Sequence, residues 1–170
     1  EEITEKGKFA KNLYGYELML AQLYSESVLE QLDEFGLGII ACACVFEPRK
    51  NQVPVKISKS AYKIQKACEE TYEQIQQKEM SSKIYPFSKS PAFHLSNCVE
   101  EWLRGSSFEN VLKYTDTDEG EVVRYFRMTV QILRELKDCP VSYILKEKIK
   151  ETIRVINRDI VDAEKQLRES

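Results

Sequence analysis

His94 and Cys98 lie four positions apart, a spacing that lets an imidazole and a thiol share one helix face and a metal ion. A closed zinc site wants four such ligands, and this sequence offers no second pair and no C-x-x-C. The plainer reading is a partly buried ring and thiol in the first half of a helix. His94 is the only histidine. A Ser/His/Asp or Cys/His machine therefore has one candidate base, and nothing around it marks activation. Carboxylates are abundant but fall on helix faces and at caps, whereas a di-iron bundle needs paired Glu-x-x-His segments. No G-x-x-x-x-G-K-[ST] loop and no G-x-S-x-G elbow is present. The chain reads as carrying no catalytic residue, no metal ligand and no cofactor-binding residue of its own.

A basic stripe is the more informative feature. At about 100° per residue, Arg124, Arg127 and Arg134 fall within about 80° of one another on a predicted helix, with Lys137 beside them. Such a stripe can track a phosphate backbone. It is also what a solvated charged face looks like, and spacing alone favours that reading. Trp102 and Tyr125 are candidate stacking platforms for bases, although aromatics at helical spacing more often belong to a core.

The rest of the sequence must position these residues. Its 170 residues, 42% of them hydrophobic, suffice for one domain with a buried core. Six Gly and five Pro are too few for an all-β chain with many tight turns. The net charge of −3 excludes the strongly basic profile of a free-standing nucleic-acid binder, but not a local stripe. No run reaches the roughly 20 apolar residues that span a bilayer, so no membrane partner is expected. Cys42, Cys44, Cys68, Cys98 and Cys139 are odd in number and scattered. Without a secretory signal, they read as reduced thiols of a cytoplasmic protein. The chain opens on Glu1-Glu2-Ile3 with no initiator Met, and the expectation is a piece of something larger.

Between breaks at 47–58, 81–91 and 138–142, apolar residues recur at three and four. Asn12 to Tyr24 reads as a helix that is apolar on more than one side. Asp33 can cap a nearly all-apolar helix through Phe46, the predicted central one, where Gly36 and Gly38 permit close approach of a neighbour. Asn51 to Ile57 reads as an extended, strand-like loop. Ser60 to Met80 reads as a long polar helix with Tyr62, Ile64, Ala67, Cys68, Tyr72 and Ile75 inward. Ser90-Pro91 has the form of a helix start, and Gly105 that of a C-terminal stop. Ser106 with Glu109, and Asp118 with Glu121, read as capping boxes. A long helix to about Lys137 follows, with Val122, Val123, Phe126, Val130, Leu133 and Leu136 inward. A last helix runs from Ser142 to about Arg168, with Ile144, Leu145, Ile149, Ile153, Ile156, Ile160 and Val161 inward. The sum is an all-α bundle of about seven helices with a helix-turn-helix-like element.

Several segments taken in order carry a resemblance. Lys6-Gly7-Lys8-Phe9-Ala10 is similar to a "KGRVA" opening, and Gly15, Glu17, Leu18, Leu20 and Leu23 to "G-x-E-L-L-L-T-E-L". Phe46-Glu47 closes a buried helix as in "S-C-F-V-F-E-E". Trp102, Gly105 and Phe108 match "W-x-x-G-x-x-F". Thr115-Asp116, Glu119-Gly120 and Arg124 match "T-D-x-x-E-G-x-x-x-R", and Asn157 to Val161 match "x-R-D-I-V". Together these resemble the DSHCT domain, the C-terminal helical domain of DExH-box RNA helicases of the antiviral and exosome-cofactor type. The segment 51–90 follows the family poorly, and the tail 162–170 is more charged than its usual apolar end.

The resemblance implies that residues 1–170 form a single helical domain of a larger helicase. It would pack against two RecA-like motor domains and a winged helix, around a channel for single-stranded RNA. ATP and Mg would be bound by the motor domains, and an RNA-degrading complex is a possible partner. The long helix would be a ratchet-type helix facing the strand. Glu47 matches a position near the threaded bases, and Arg124 and Arg127 match basic positions on that helix; Arg134 joins them through the stripe. Met128 departs from the pattern, standing where exosome-type members carry an arginine that meets a base. Three other readings compete with this one: a protein-interaction module that never touches RNA, an independent helix-turn-helix DNA binder disfavoured by the negative net charge, and an enzyme in its own right.

Overall fold

The computed structural model describes residues 17–85 and 88–170. Glu1 to Ile3, Lys6 to Ala10, Asn12 and Gly15, named above, lie outside them. Among the described residues the fold is all-α, with no strand. The helices are α1 (Glu17–Ser25), α2 (Val28–Gln31), α3 (Glu34–Val45), α4 (Lys59–Ser81), α5 (Ser96–Leu103), α6 (Phe108–Val111), α7 (Glu119–Lys137), α8 (Tyr143–Ile156) and α9 (Ala163–Glu169). Two single 3-10 turns, Leu112–Tyr114 and Asp159–Val161, complete the set.

α3 is the axis. Asp33 caps it, its carboxylate accepting from the Gly36 N–H at 2.8 Å. Nine of its twelve residues are buried, so it has no polar side to turn to water and must be sheathed. α5, α7 and α8 pack around it, and α4 closes part of the remaining side. Gly38 makes the closest approach possible. A Cβ there would stand 3.0 Å from Leu103 and 3.2 Å from Val99 of α5, and 3.5 Å from Ile156 of α8. The crowding at Gly36 is local instead, from Leu32 and Asp33.

α4 buries Ala61, Ile64, Cys68, Thr71, Ile75 and Glu79, a stripe spaced by threes and fours. Tyr62, expected inward, is 52% exposed. Two polar residues take inner positions because each finds partners. Thr71 donates to Glu26 at 2.9 Å, binding α4 to the end of α1, and Glu79 accepts from Ser88. Segment 51–57 opens in a turn, with Asn51 at φ +68°, and then forms neither helix nor strand.

Several predicted boundaries move. Ser90-Pro91 starts no helix. That segment passes the end of α3 without regular structure, and there the Ala92 N–H donates to the Ala43 carbonyl at 2.9 Å, in the last turn of the helix. α5 begins only at Ser96. Its end is as predicted: Gly105 has φ +93°, its N–H donates to Trp102 O, and the Ser106 N–H donates to Glu101 O, the paired bonds of a Schellman stop. Ser107, not Ser106, caps α6, because the Ser106 hydroxyl is spent on Glu101 at 2.9 Å. Asp118 precedes α7 without a side-chain cap bond, and Glu121 pairs with Arg124 instead of reaching back.

The last predicted helix is three elements. α8 stops at Ile156, where Arg158 turns extended and Asp159 takes φ +49°, before a 3-10 turn and α9. Arg158 leaves helical register because its guanidinium is engaged on α5, described below. Ile144 is 70% exposed rather than inward. α6 packs on α5, and α7 makes its main contacts with α8 and α3.

Two expectations test this packing. Gly38→Leu overfills the α3–α5–α8 crossing and should cost about 2–3 kcal/mol, read as a lowered urea midpoint. Burial pushes the Cys42 and Cys98 thiols up to about 12, from an ordinary value of 9. Above pH 9 the unfolded chain releases these protons and the folded one keeps them. Stability should therefore fall as pH rises from 9 toward 12, and an aromatic disulfide reagent at pH 8 should leave both thiols unmodified until the protein is denatured.

Candidate nucleic-acid interface

The end of α3 and the start of α7 meet at one surface. Beyond Val45 the chain turns extended, and Phe46 is buried with its ring 4.7 Å from Tyr125 and 5.3 Å from His94. The Tyr125 hydroxyl donates to the Glu47 carbonyl at 3.2 Å. With the Phe46 ring and the Glu47 backbone so held, Glu47 turns its carboxylate outward, 64% exposed and ion-paired to Lys89. The hydrogen bond from Lys89 and its charge, with the Arg124 charge adding, hold the Glu47 carboxyl below its usual range.

Arg124 stands on the same edge. Its Nε and one terminal nitrogen donate to Glu121 at 3.2 and 2.7 Å, its other terminal nitrogen reaches the Met128 sulfur at 3.5 Å, and the guanidinium lies 4.5 Å from the Tyr125 ring centre. The next loop residues are stitched to the turn before α7. Arg49 donates to the Asp116 carbonyl at 3.0 Å, and Gln52 donates to the Asp116 carboxylate at 2.8 Å and to the Thr117 hydroxyl at 3.2 Å. The His94 Nε2 lies 3.4 Å from the Gln52 carbonyl, and its buried Nδ1 has no hydrogen-bond partner.

The predicted site residues separate in space. Glu47 and Arg124 come together. Arg127 is turned toward the C-terminal segment, its guanidinium donating to the carbonyls of Val161 at 3.1 Å and Ile160 at 2.8 Å. Arg134 is exposed, about 15 Å further along α7 at 1.5 Å per residue. Trp102 and Tyr125 are 1% and 4% exposed, so neither offers a ring face to a base. Lys89, Arg49 and Gln52 join the site from loops, where no periodicity marks them. His94 and Cys98 do not converge on a metal: the Cys98 thiol donates toward Val111 O at 3.6 Å, and no cluster of three candidate ligands occurs among the described residues.

A second constellation holds the frame beneath this surface. Trp102 donates from Nε1 to the Ile156 carbonyl at 2.9 Å, and its ring meets Phe108 edge-on at 5.9 Å. Arg158 lies over that ring at 3.4 Å and donates to the carbonyls of Trp102 at 2.9 Å and Ser106 at 2.8 Å. The segments Trp102 to Phe108 and Arg158 to Val161, far apart in sequence, are thus one joint.

The structure defines a helical domain with a buried aromatic joint and, at Glu47 and Arg124, a charged edge. The chain belongs to the DSHCT (NUC185) domain family, which matches residues 1–164. It is 27% identical over 174 residues to the ATP-dependent RNA helicase mtr4 of Schizosaccharomyces pombe, covering 94% of this chain and 15% of that protein. It is 27% identical over 169 residues to the antiviral helicase SKI2 of Saccharomyces cerevisiae, covering 93% and 13%. It is 26% identical over 178 residues to the exosome RNA helicase MTR4 of Homo sapiens, covering 95% and 16%. The chain therefore spans only 13% to 16% of the length of these relatives. No helix among the described residues is long and apolar enough to cross a membrane.

The joint makes a direct test possible, since Trp102 is the only tryptophan. Arg158→Lys keeps the charge but loses the planar stack and the reach to two carbonyls. It should cost about 2 kcal/mol and red-shift the native tryptophan emission. A variant with unchanged midpoint and spectrum would show that the guanidinium is dispensable.

Proposed function

We propose that this chain is an accessory helical domain of an ATP-dependent RNA helicase and that the Glu47–Arg124 edge lines the path of single-stranded RNA. ATP and Mg act in motor domains elsewhere on the same polypeptide, against which this domain braces; a winged helix and an RNA-degrading complex are its further partners. Membership of the DSHCT family and the helicase relatives it matches support the helicase assignment. One observation carries the placement of the RNA face: α7 presents Arg124 beside an outward Glu47 whose backbone is pinned by Tyr125.

The physical fit is that of a guide. A motor needs contacts weak enough for the strand to advance, and each neutralised phosphate steepens the salt dependence of binding. A domain of net charge −3, with Arg124 and Lys89 flanking Glu47 at its edge, offers few such contacts. The guanidinium of Arg124 supplies charge at the surface. Arg127 holds the turn that carries Ile160 and Val161, so its contribution to the RNA face runs largely through the shape of that end of α7.

Arg124→Glu in the full-length helicase should leave the melting temperature within a degree or two and reduce RNA unwinding and RNA-stimulated ATP hydrolysis about tenfold. Arg127→Glu should instead lower stability by about 1–3 kcal/mol through loss of its two carbonyl bonds. Undiminished unwinding by Arg124→Glu, together with lost binding of a protein partner, would replace this reading with that of a protein-interaction module.

A further inference from the structure

The segment after α4 is fastened more firmly than a connection requires. Glu79 is an acid at an inner position of α4, 5% exposed. A buried carboxylate is costly unless hydrogen-bonded, and here Ser88 supplies bonds to both oxygens. The Ser88 N–H donates to the two oxygens at 3.0 and 3.3 Å, and the Ser88 hydroxyl donates at 2.5 Å. Four residues on, the Ala92 N–H is held by the Ala43 carbonyl at the end of α3. Lys89, Ser90 and Pro91 lie between these pins, and Pro91 has a fixed φ. The backbone of Lys89 has little slack, and its ammonium is delivered to Glu47, the residue that leads out of α3.

We propose that Lys89 is a further contact for the phosphates of single-stranded RNA and that Glu79, acting through Ser88, is its positioning residue. The inference rests on the reading of the Glu47–Arg124 edge as an RNA face. Glu47 lies between two cations from different elements, Lys89 from the pinned segment and Arg124 from α7. The Lys89–Glu47 pair is 80% and 64% exposed, and pairs this exposed hold each other weakly. A passing phosphate can take the ammonium while Glu47 remains beside Arg124. Lysine suits this task, because a point charge on a flexible stem follows a moving strand without demanding one geometry.

The test uses the full-length protein and a labelled oligouridylate, with binding measured across a salt series. Lys89→Gln should weaken binding about three- to tenfold at low salt and lower the slope of log K against log salt by about 0.7, the loss of one phosphate contact. Glu79→Ala should reproduce the slope change, and Glu79→Gln, which can still accept from Ser88, should largely restore it. Adding Lys89→Gln to Glu79→Ala should cause no further loss. Arg124→Gln separates the two claims. If it weakens binding while Lys89→Gln leaves the slope unchanged, this inference is overturned and the RNA face stands. If neither variant alters binding, the RNA face itself falls. A slope lowered by Lys89→Gln but not by Glu79→Ala would keep the contact and remove the positioning role.

Discussion

α3 has no side that water can tolerate, and the architecture follows from that. Twelve residues from Glu34 to Val45 include nine that are buried, so neighbours must cover the helix all round. Gly38 allows α5 and α8 to cross it within contact distance of its backbone, and α7 covers another side. Because α3 is enclosed, its exit is also determined. The chain emerges between α7 and the segment 88–94, which is why Phe46 is held between Tyr125 and His94, and why Glu47 reaches the surface where it does.

The enclosing helices are then locked by arginines used as carbonyl clamps. Arg158 joins the end of α5 to the end of α8 across the Trp102 ring, and Arg127 joins α7 to the turn at Ile160 and Val161. Both donate to backbone carbonyls at helix ends or tight turns, where acceptor capacity is left over. Arginine does this better than lysine because its planar fork serves two acceptors at once. Residues that look like a nucleic-acid stripe by spacing are thereby divided in use. Arg124 stays on the surface beside Glu47, and Arg127 becomes part of the frame.

Much of the fold was legible in the residues. The all-α class, the apolar central helix with its Asp33 cap, the Gly105 stop and the inner face of α7 all depend on nearest neighbours or on a 3.6-residue period. The misplaced boundaries share one cause. Ser90-Pro91, Ser106 and the stretch past Ile156 each have the local form of a cap or a continuing helix. Each is overruled by a partner outside its own turn: Ala43 for the first, Glu101 for the second and Trp102 for the last. Asp118 does stand at the start of α7 as expected, and only its cap bond is replaced, by the Glu121–Arg124 pair. The candidate site was legible only as Glu47 and a row of arginines.

The sequence alone determined what must be buried and where most helices run, since these rest on composition and short-range spacing. Tertiary structure decided which charges face outward together. Lys89 meets Glu47, Arg49 meets Asp116, and Arg158 meets Trp102 across separations that no local pattern encodes. The physical reason is that a side chain's role is set by the acceptors and charges that packing brings within a few ångströms of it, and those come from whichever segments the enclosure of α3 forces together.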